Sequence, residues 1–471
     1  MGSGVTATGR YRLGVPDVGL RLFDTARGEV RPVELREPGR VTMYVCGPTV
    51  YGPPHLGHGR FSLVFDVLRR YLEWTGLEVT YVSNVTDIDD AIINKGNAEG
   101  RDPAEVAVQF EEVWFDGMDL IGVKAPDRSP HATEYVDAMV AMIGELVATG
   151  KAYETSDGVY LATEGIEGYG TLARQSLESL RSGASGRVEA NDEKRSPLDF
   201  VLWKKAKPGE PTWDSPWGPG RPGWHTECVV MSLELLGDGF DIHGGGQDLA
   251  FPHHENEWAQ AKALGRDFAR HWVHNGFVEV GGEKMSKSLG NYTDLHDMAT
   301  SADPRAYRLL VLQAHYRSPV EVNQKTAEAA STALARLDAL GRRMLGVDPG
   351  EPDGAALARF RERMDDDLDT PAVVAQLFGL ATAANTALDD GDRAAAAVAW
   401  ATIGEITRAV GIQLADAVAA EVPAEVERLA VLRDEARGAR DWPEADRLRD
   451  EIRAAGFEVE DTPEGTRVHP T

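Results

Sequence analysis

The 471-residue sequence is poor in cysteine and in long apolar stretches. Its two cysteines, Cys46 and Cys228, are too few for a disulfide framework to be the source of its stability. No run of about 18 or more apolar residues occurs, so we predict no membrane-spanning segment. The N-terminal residues contain no apolar region typical of a secretory signal. The predicted location is therefore the cytoplasm.

Positive charge is also scarce. The chain has 49 lysines and arginines against 76 aspartates and glutamates, which gives a net charge of −27. Non-specific binding of nucleic acid depends on basic side chains that neutralise phosphates, so this composition disfavours it. A local basic surface remains compatible with the composition, and a nucleic-acid function has to be argued from motifs. The length predicts roughly three domains.

A strand, a helix and a second strand are predicted between residues 41 and 85. The run VTMYVC at 41–46 is typical of a buried strand, and apolar residues recur at helical spacing over 61–76. The run LEVTYVSNV at 77–85 predicts the second strand. This order predicts a βαβ unit with a parallel sheet, in which ligands bind beyond the carboxyl ends of the strands. Cys46, a pair of histidines and Thr86 fall at that edge.

Two short motifs indicate phosphate chemistry. The sequence HLGH puts His55, Gly57 and His58 just before the predicted helix, where free N–H groups bind phosphate. The sequence KMSKS, between glycines, carries Lys284 and Lys287, and lysines bind phosphates as point charges. Either motif alone fits an ordinary loop. Together they predict nucleotidyl transfer at an α-phosphate.

A histidine- and carboxylate-rich segment, FPHHENE, follows at 251–257. Pro252 suits the first turn of a helix. In such a helix His253 and Glu257 lie one turn apart on one face and form a chelating pair, whereas His254 and Glu255 point elsewhere.

The two cysteines complete a candidate metal site. Cys46 is predicted at a strand end and Cys228 in a helix of a second α/β stretch. Together with His253 and Glu257 they form a set of two thiols, one imidazole and one carboxylate that suits Zn²⁺. The alternative is a His–Glu surface pair and two inert buried cysteines. Ligand chemistry alone does not decide between the two hypotheses.

Residues around this segment are candidates for a substrate pocket. Gly244, Gly245 and Gly246 follow a predicted strand and would let a base or ribose approach closely, while Asp248 can accept hydrogen bonds from ribose hydroxyls. The triplet also fits a tight strand-to-helix turn. Trp224 and His243 flank the metal region, where they line a pocket or belong to the core.

These segments together resemble the cysteinyl-tRNA synthetases, a family of class I aminoacyl-tRNA synthetases. The resemblance covers the chain from about residue 20 to its end. The segments that carry it are MYVCGPTVY, SNVTDIDDAI, SPLDFVLWKKAKPGEPTWDSPWGPGRPGWHTEC, DIHGGGQDLAFPHHENE, HNGFVEVGGEKMSKSLGN and GFEVEDTPEGTRV.

The resemblance implies an α/β fold with a Rossmann-type parallel-sheet catalytic core. A connective-peptide insertion splits this core, and a helical bundle and a small C-terminal anticodon-binding domain follow. The predicted divisions are a flexible tail at 1–20, the two halves of the catalytic core at 21–130 and 222–290, the insertion at 131–221, the stem-contact segment and helical bundle at 291–420, and the anticodon-binding domain at 421–471.

The resemblance also implies a reaction. L-cysteine and ATP, with Mg²⁺, would form cysteinyl-adenylate, and the cysteinyl group would pass to tRNA(Cys). One Zn²⁺ per chain would select the substrate thiolate, and the protein would act as a monomer. The metal ligands implied are Cys46, Cys228, His253 and Glu257. The catalytic residues implied are His55, His58, Lys284 and Lys287. The ATP-binding residues are Gly57, Gly246, Asp248 and Lys287, and the substrate-binding residues are Gly47, Thr86, Trp224 and His243.

Two positions depart from the family pattern. Ser83 stands where many members carry arginine, and Ala91 where many carry lysine, and both changes remove positive charge. These two losses keep open a catalytically silent paralogue. A cysteine ligase that acts on an amino-sugar, as in mycothiol synthesis, shares the fold and the adenylation step and also stays open, as does a resistance-type duplicate. The amino-sugar ligases end after the helical bundle, so the C-terminal segment favours tRNA.

Overall fold

A computed structural model describes residues 19–174, 193–284, 293–415, 423–462 and 465–470. By their internal contacts these residues form two units. The larger unit runs up to Leu334 and also takes in Gly354–Leu377 and Glu405–Gln413. The smaller unit comprises Ala335–Asp353, Phe378–Gly404 and the chain from Leu414 onward.

The elements are numbered in chain order within the described residues. The strands are β1 (Arg21–Asp24), β2 (Glu29–Pro32), β3 (Arg40–Val45), β4 (Glu78–Ser83), β5 (Ala152–Glu154), β6 (Gly158–Leu161), β7 (Phe200–Lys205), β8 (Gly220–Pro222), β9 (Ile242–Gly246), β10 (His271–Asn275), β11 (Val278–Val280), β12 (Glu283–Lys284), β13 (Val320–Glu321), β14 (Phe457–Thr462) and β15 (Gly465–Pro470). The α-helices are α1 (Leu56–Trp74), α2 (Asp90–Glu99), α3 (Pro103–Leu120), α4 (Val136–Ala148), α5 (Trp224–Leu236), α6 (Glu255–Ala263), α7 (Leu295–Ser301), α8 (Pro304–Leu312), α9 (Gln324–Arg343), α10 (Gly354–Asp365), α11 (Thr370–Asp389), α12 (Arg393–Val410), α13 (Ala424–Gly438) and α14 (Trp442–Ala454).

A four-stranded parallel sheet in the order β10–β9–β3–β4 forms the centre of the larger unit. The chain passes from β3 through α1 to β4 on one side, and later enters β9 and β10 on the other side of β3. Strand order therefore reverses between β3 and β9. Open α/β sheets bind ligands outside the carboxyl ends of the strands at such a reversal. The predicted βαβ unit is present, with its helix beginning five residues before the predicted start at Phe61.

The glycine triplet lies within β9, and this corrects the expectation that it follows a strand. A Cβ on Gly244 would meet the ring of Phe65 at 2.2 Å, and one on Gly245 would meet the ring of His254 at 2.8 Å. The absence of side chains therefore lets α1 and the segment before α6 pack closely on the sheet.

The predicted insertion contains its own antiparallel sheet, β5–β6–β7–β8. Trp203 and Leu202 of β7 are fully buried there, with α4 packed on the sheet. The loop RSGASGR at 181–187 lies outside the described residues. Glu255, at the start of α6, accepts N–H groups of Gly170 and Leu172 at 2.8 and 2.7 Å, which ties the predicted insertion to α6.

The C-terminal part of the smaller unit pairs α13 with α14 and β14 with β15. Val426 and Ile452 are buried between these helices and the strand residue Phe457. Arg433 donates to Asp461 at 2.6 Å and links α13 to β14. The predicted helical hairpin and terminal strand are both present, and the strand pairs with β15.

Helix α11 (Thr370–Asp389) has a length and a composition that would let a helix cross a membrane. A single helix with these properties is weak evidence, because core helices of soluble proteins meet the same criteria. This helix alone is therefore no ground for placing the chain in a membrane.

One buried arginine joins α1 to the segments that flank β11 and β13. Arg60 is 1% exposed, and its guanidinium donates to the carbonyl oxygens of Phe277, Tyr316 and Ser318, the second at 3.2 Å. Strands β11 and β12 lead directly into the KMSKS segment. Arg60 therefore fixes the histidine-bearing helix to the base of the lysine-bearing hairpin.

Replacement of Arg60 by methionine should lower the free energy of unfolding by about 3 kcal/mol, because buried carbonyl groups lose their charged donor. Urea unfolding of the purified protein measures this. The matched control is Arg40→Met, since Arg40 is half exposed and its ion pairs with Glu37 and Glu78 lie at the surface. The control should change stability by less than about 1 kcal/mol. Equal effects of both substitutions would contradict the role given to Arg60.

Candidate metal and nucleotide site

Four side chains with metal-binding atoms meet where the strand order reverses. Cys46 directly follows β3, Cys228 lies in the second turn of α5, His253 lies in the helical turn just before α6, and Glu257 lies in α6. All four are buried, with exposures between 0% and 4%. Their candidate ligand atoms all lie within 4.8 Å of one another. The structure thus brings together the set that the sequence predicted as metal ligands.

The spacing of these atoms fits a tetrahedral zinc ion. With Zn–S near 2.3 Å and Zn–N near 2.0 Å, the two sulfurs should lie about 3.8 Å apart and sulfur and nitrogen about 3.5 Å apart. The Sγ atoms of Cys46 and Cys228 are 3.6 Å apart, and Cys228 Sγ lies 3.6 Å from His253 Nε2. Cys46 Sγ lies 3.4 Å from Glu257 Oε1. The donor set and its distances therefore suit Zn²⁺.

Burial and mutual charge shift the ionisation of the same four groups. Burial raises the pKa of the Cys228 thiol, but hydrogen bonds with Cys46 and His253 outweigh it and bring that pKa to about 6. Burial and the neighbouring Cys228 raise the pKa of Cys46. Burial lowers the pKa of His253, but Glu257 and Cys228 outweigh it and bring that pKa to about 10. Burial raises the pKa of Glu257, but His243 and His253 outweigh it and lower that pKa. A Cys228 thiolate and the Glu257 carboxylate are thus buried together, where a cation is favoured.

Two further histidines approach two of the four ligands from the other side. His243 Nε2 lies 2.6 Å from Glu257 Oε2, and His254 Nε2 lies 3.2 Å from Cys46 Sγ. Cys46, His243, His254 and Glu257 form a second buried group whose ligand atoms are mutually close. The expectation that His254 points away from the ligands is wrong. His254 has helical backbone angles and lies three residues before Glu257, and residues three apart also share a helix face.

Aromatic rings cover His253 on its outer side. Trp224, 37% exposed, stacks on the His253 ring with centroids 4.0 Å apart. His225 Nδ1 lies 2.9 Å from His253 Nδ1. Trp224 is therefore next to the candidate metal ligands and partly open to solvent, as a wall of a substrate pocket requires, whereas the predicted pocket residue His243 is fully buried.

A hydrogen-bonded chain connects the loop after β3 with α5. The N–H of Gly47 donates to Asn84 Oδ1 at 2.9 Å, and Asn84 Nδ2 donates to Thr86 Oγ1 at 3.2 Å. Thr86 Oγ1 in turn donates to Glu227 Oε2 at 2.8 Å, and Glu227 precedes Cys228. The predicted substrate residues Gly47 and Thr86 thus belong to one network beside the metal ligands.

The two signature histidines begin α1. His55 is the N-cap, and its Nδ1 accepts the N–H of His58 at 3.1 Å, while His58 Nδ1 accepts the N–H of His55 at 3.3 Å. The rings stack with centroids 3.6 Å apart. Since each Nδ1 accepts, a neutral ring carries its proton on Nε2. Both imidazoles are therefore held as Nε2–H donors at a helix N-terminus, next to Gly57.

The chain that leaves the lysine motif pairs with the histidine loop. Leu56 N–H donates to Thr293 O at 3.2 Å, and Leu295 N–H donates to Pro54 O at 3.0 Å. Lys284 ends β12, and Lys287 lies outside the described residues. The two motifs, which are far apart in sequence, are thus connected at the backbone on one side. Gly246 ends β9, and the side chain of Asp248 is exposed just beyond it.

Comparison with known proteins identifies the family. The family model for the class I (C) tRNA synthetase catalytic domain matches residues 32–332, and the DALR domain matches residues 359–415. The cysteine–tRNA ligase of Halorhodospira halophila is 44% identical over 96% of this chain and 100% of that protein. The corresponding ligase of Thioalkalivibrio sulfidiphilus is 47% identical over 91% and 95%.

The chain belongs to the cysteine–tRNA ligase family. Among solved structures it is similar to Mycobacterium tuberculosis methionyl-tRNA synthetase in complex with methionyl-adenylate, with a TM-score of 0.58 and 17% identity. That likeness covers 79% of this chain and 90% of the other, and it shows the fold. The comparisons confirm the predicted class I catalytic core and the helical region after it. The domain boundaries and the roles of individual site residues stay predictions.

Several contacts of the site were absent from the sequence analysis. Asn84, Glu227 and His225 had no signal beyond their position next to Thr86, Cys228 and Trp224. His254 had one, because it forms a histidine doublet with His253 and was set aside by the assumed helical spacing. His274 of β10, whose Nε2 lies 2.8 Å from His254 Nδ1, had none, since periodicity does not reveal which side chains meet across a sheet edge.

Replacement of Gly47 by alanine should distort this site. A Cβ at position 47 would lie 1.7 Å from the backbone oxygen of Asn84, so the loop after β3 must move. We expect a loss of about 2 kcal/mol in the free energy of unfolding, measured by urea denaturation. Gly144→Ala in α4 is the matched control, because no atom lies within 4 Å of a Cβ there. It should be neutral or stabilise by about 1 kcal/mol. A Gly47→Ala protein as stable as wild type would refute the packing account.

Proposed function

We propose that this protein activates L-cysteine with ATP and transfers the cysteinyl group to tRNA(Cys). Identity of 42–47% to cysteine–tRNA ligases over more than nine-tenths of the chain supports the reaction class. The observation that carries the amino-acid specificity is the buried set Cys46, Cys228, His253 and Glu257, whose donor atoms have zinc-like spacing.

The proposed resident metal is one Zn²⁺ per chain. When bound, it supplies a soft Lewis acid that prefers a thiolate to a hydroxyl, and so favours cysteine over serine. Side chains around the metal are proposed to contribute to the selection of the amino acid as well. Trp224 covers His253 on the side that opens to solvent, and Thr86 lies on the network that runs to Glu227. Both Trp224 and Thr86 are therefore proposed to line the amino-acid pocket.

The nucleotide is proposed to bind between the histidine and lysine motifs. The first step joins the cysteine carboxylate to the α-phosphate of ATP and releases pyrophosphate, with Mg²⁺ on the phosphates. His55 and His58, held as Nε2–H donors, are suited to stabilise charge on the transferring phosphoryl group. Lys284 and Lys287 are proposed to share this role, while Gly57, Gly246 and Asp248 are proposed to contact the nucleotide. Positioning and electrostatics account for the rate, without a side-chain nucleophile.

The second step is proposed to pass the cysteinyl group to the 3′-terminal adenosine of tRNA. The chain continues beyond the DALR domain into α13, α14 and the β14–β15 hairpin. We propose this C-terminal segment as the anticodon-binding domain. A monomer in the cytoplasm is the accompanying prediction, and it rests on the family resemblance.

One experiment tests the proposal. Cysteine-dependent ATP–pyrophosphate exchange should be strong with the purified zinc-loaded protein and weaker by about 10²-fold or more with serine, since a site built around a specific ligand group rejects the analogue that lacks it. Cys228→Ser should lose both metal and exchange. Ser232→Ala, a buried change on the same helix, should keep both.

Transfer then separates the alternatives. The adenylate made in the exchange assay should charge tRNA(Cys) and leave an amino-sugar acceptor unmodified. Exchange followed by transfer only to the amino-sugar would replace the tRNA proposal with the amino-sugar ligase. A protein without any exchange, but with bound zinc, would be the silent paralogue.

A further inference from the structure

A line of hydrogen bonds runs from the N-terminal hairpin to a predicted metal ligand. Thr25 Oγ1 lies 2.7 Å from His274 Nδ1, and His274 Nε2 lies 2.8 Å from His254 Nδ1. His254 Nε2 lies 3.2 Å from Cys46 Sγ. The series therefore runs from Thr25 through His274 and His254 to Cys46. Thr25 and His274 are 249 residues apart in sequence.

The chemistry of the end groups gives this line a direction. A metal-bound Cys46 is a thiolate, which only accepts, so His254 Nε2 must donate to it. A neutral imidazole has one N–H, so His254 Nδ1 accepts from His274 Nε2, and His274 Nδ1 accepts from the hydroxyl of Thr25. Both rings are buried, at 0% and 7% exposure, and the cost of burying a charge favours the neutral form of each ring. Thr25 is therefore the donor at the start of the series.

The fold holds Thr25 in place for this contact. Its backbone N–H donates to Trp272 O at 3.0 Å, two residues before His274 on β10. The preceding residue, Asp24, is 1% exposed and accepts the N–H groups of Ala26 at 3.0 Å and Trp272 at 3.3 Å. The turn after β1 is thus attached to β10 at its backbone, and it lies before residue 32, where the match to the catalytic-domain model begins.

We propose that Thr25 is a positioning residue of the metal centre, whose hydroxyl orders the protons of His274 and His254 so that His254 donates an N–H to the Cys46 sulfur. The proposal rests on the zinc site proposed above. Outer hydrogen bonds of this kind orient ligands and stabilise their charged form. Because His254 then serves as a donor, it is not a ligand, and the second group of four side chains holds no ion. One zinc per chain follows.

The test compares three variants in their zinc affinity, measured by competition with a chromophoric chelator. Thr25→Val keeps the shape of the side chain but removes the donor, and should weaken zinc binding about 10-fold. Thr25→Ser restores the hydroxyl and should recover most of the affinity. Thr75→Val is the matched control, because Thr75 is also half-buried and donates only to Leu72 O at 2.7 Å at the far end of α1. It should bind zinc as wild type does.

A double-mutant cycle shows whether the effect passes through His274. If it does, Thr25→Val should add nothing to the loss caused by His274→Phe, and the two losses should be additive if Thr25 only supports the fold. With Co²⁺ in place of zinc, the sulfur-to-metal charge-transfer band should shift in Thr25→Val and return in Thr25→Ser.

Unchanged zinc affinity in Thr25→Val, additive losses, or two ions per wild-type chain would each overturn the role of Thr25. These results differ from failure of the zinc site itself, which would appear as a wild-type protein that binds no zinc.

Discussion

The burial of the Glu257 carboxylate between two imidazoles and two thiols is the constraint on which the rest of the structure depends. Its side chain is fully buried, with His253 Nε2 at 2.9 Å and His243 Nε2 at 2.6 Å. Burial of an ion costs several kcal/mol unless opposite charge and hydrogen bonds offset it. A bound cation removes that cost, and the closely spaced sulfurs then become ligands. The parallel sheet places this group at the reversal of strand order, where the chain can bring β3, α5 and α6 to one point.

The nucleotide side of the site has a different physical basis. His55 and His58 cap α1 with their own ring nitrogens. This fixes the start of the helix and leaves Nε2 as the nitrogen that carries the proton in each neutral ring. Arg60, one turn later, binds carbonyl oxygens at the base of β11 and β13. The helix that presents the histidines thus also anchors the hairpin that leads to the lysine motif. The phosphate chemistry and the amino-acid selection proposed for this site are therefore assigned to separate groups of side chains at one sheet edge.

Much of the fold follows from sequence patterns. The buried run that becomes β3, the helical spacing of α1 and the order of elements predict the parallel sheet, and the long family motifs predict the class. Donor chemistry and an i, i+4 pair make Cys46, Cys228, His253 and Glu257 candidate ligands, and the family resemblance favours them over two inert cysteines and a surface pair. The glycines of β9 and the orientation of His254 are not identifiable in this way, because they depend on Phe65 and Cys46, which approach from distant segments. Thr25 is likewise invisible to any local pattern.

The central claim is that a zinc ion held by two cysteines, one histidine and one glutamate selects the substrate by its sulfur. X-ray absorption at the zinc edge of the purified holoprotein measures this directly. The account predicts two sulfur neighbours at about 2.3 Å in the free protein, a third after addition of L-cysteine, and still two after addition of L-serine. Fewer than two sulfurs without substrate, or no gain with cysteine, would contradict it.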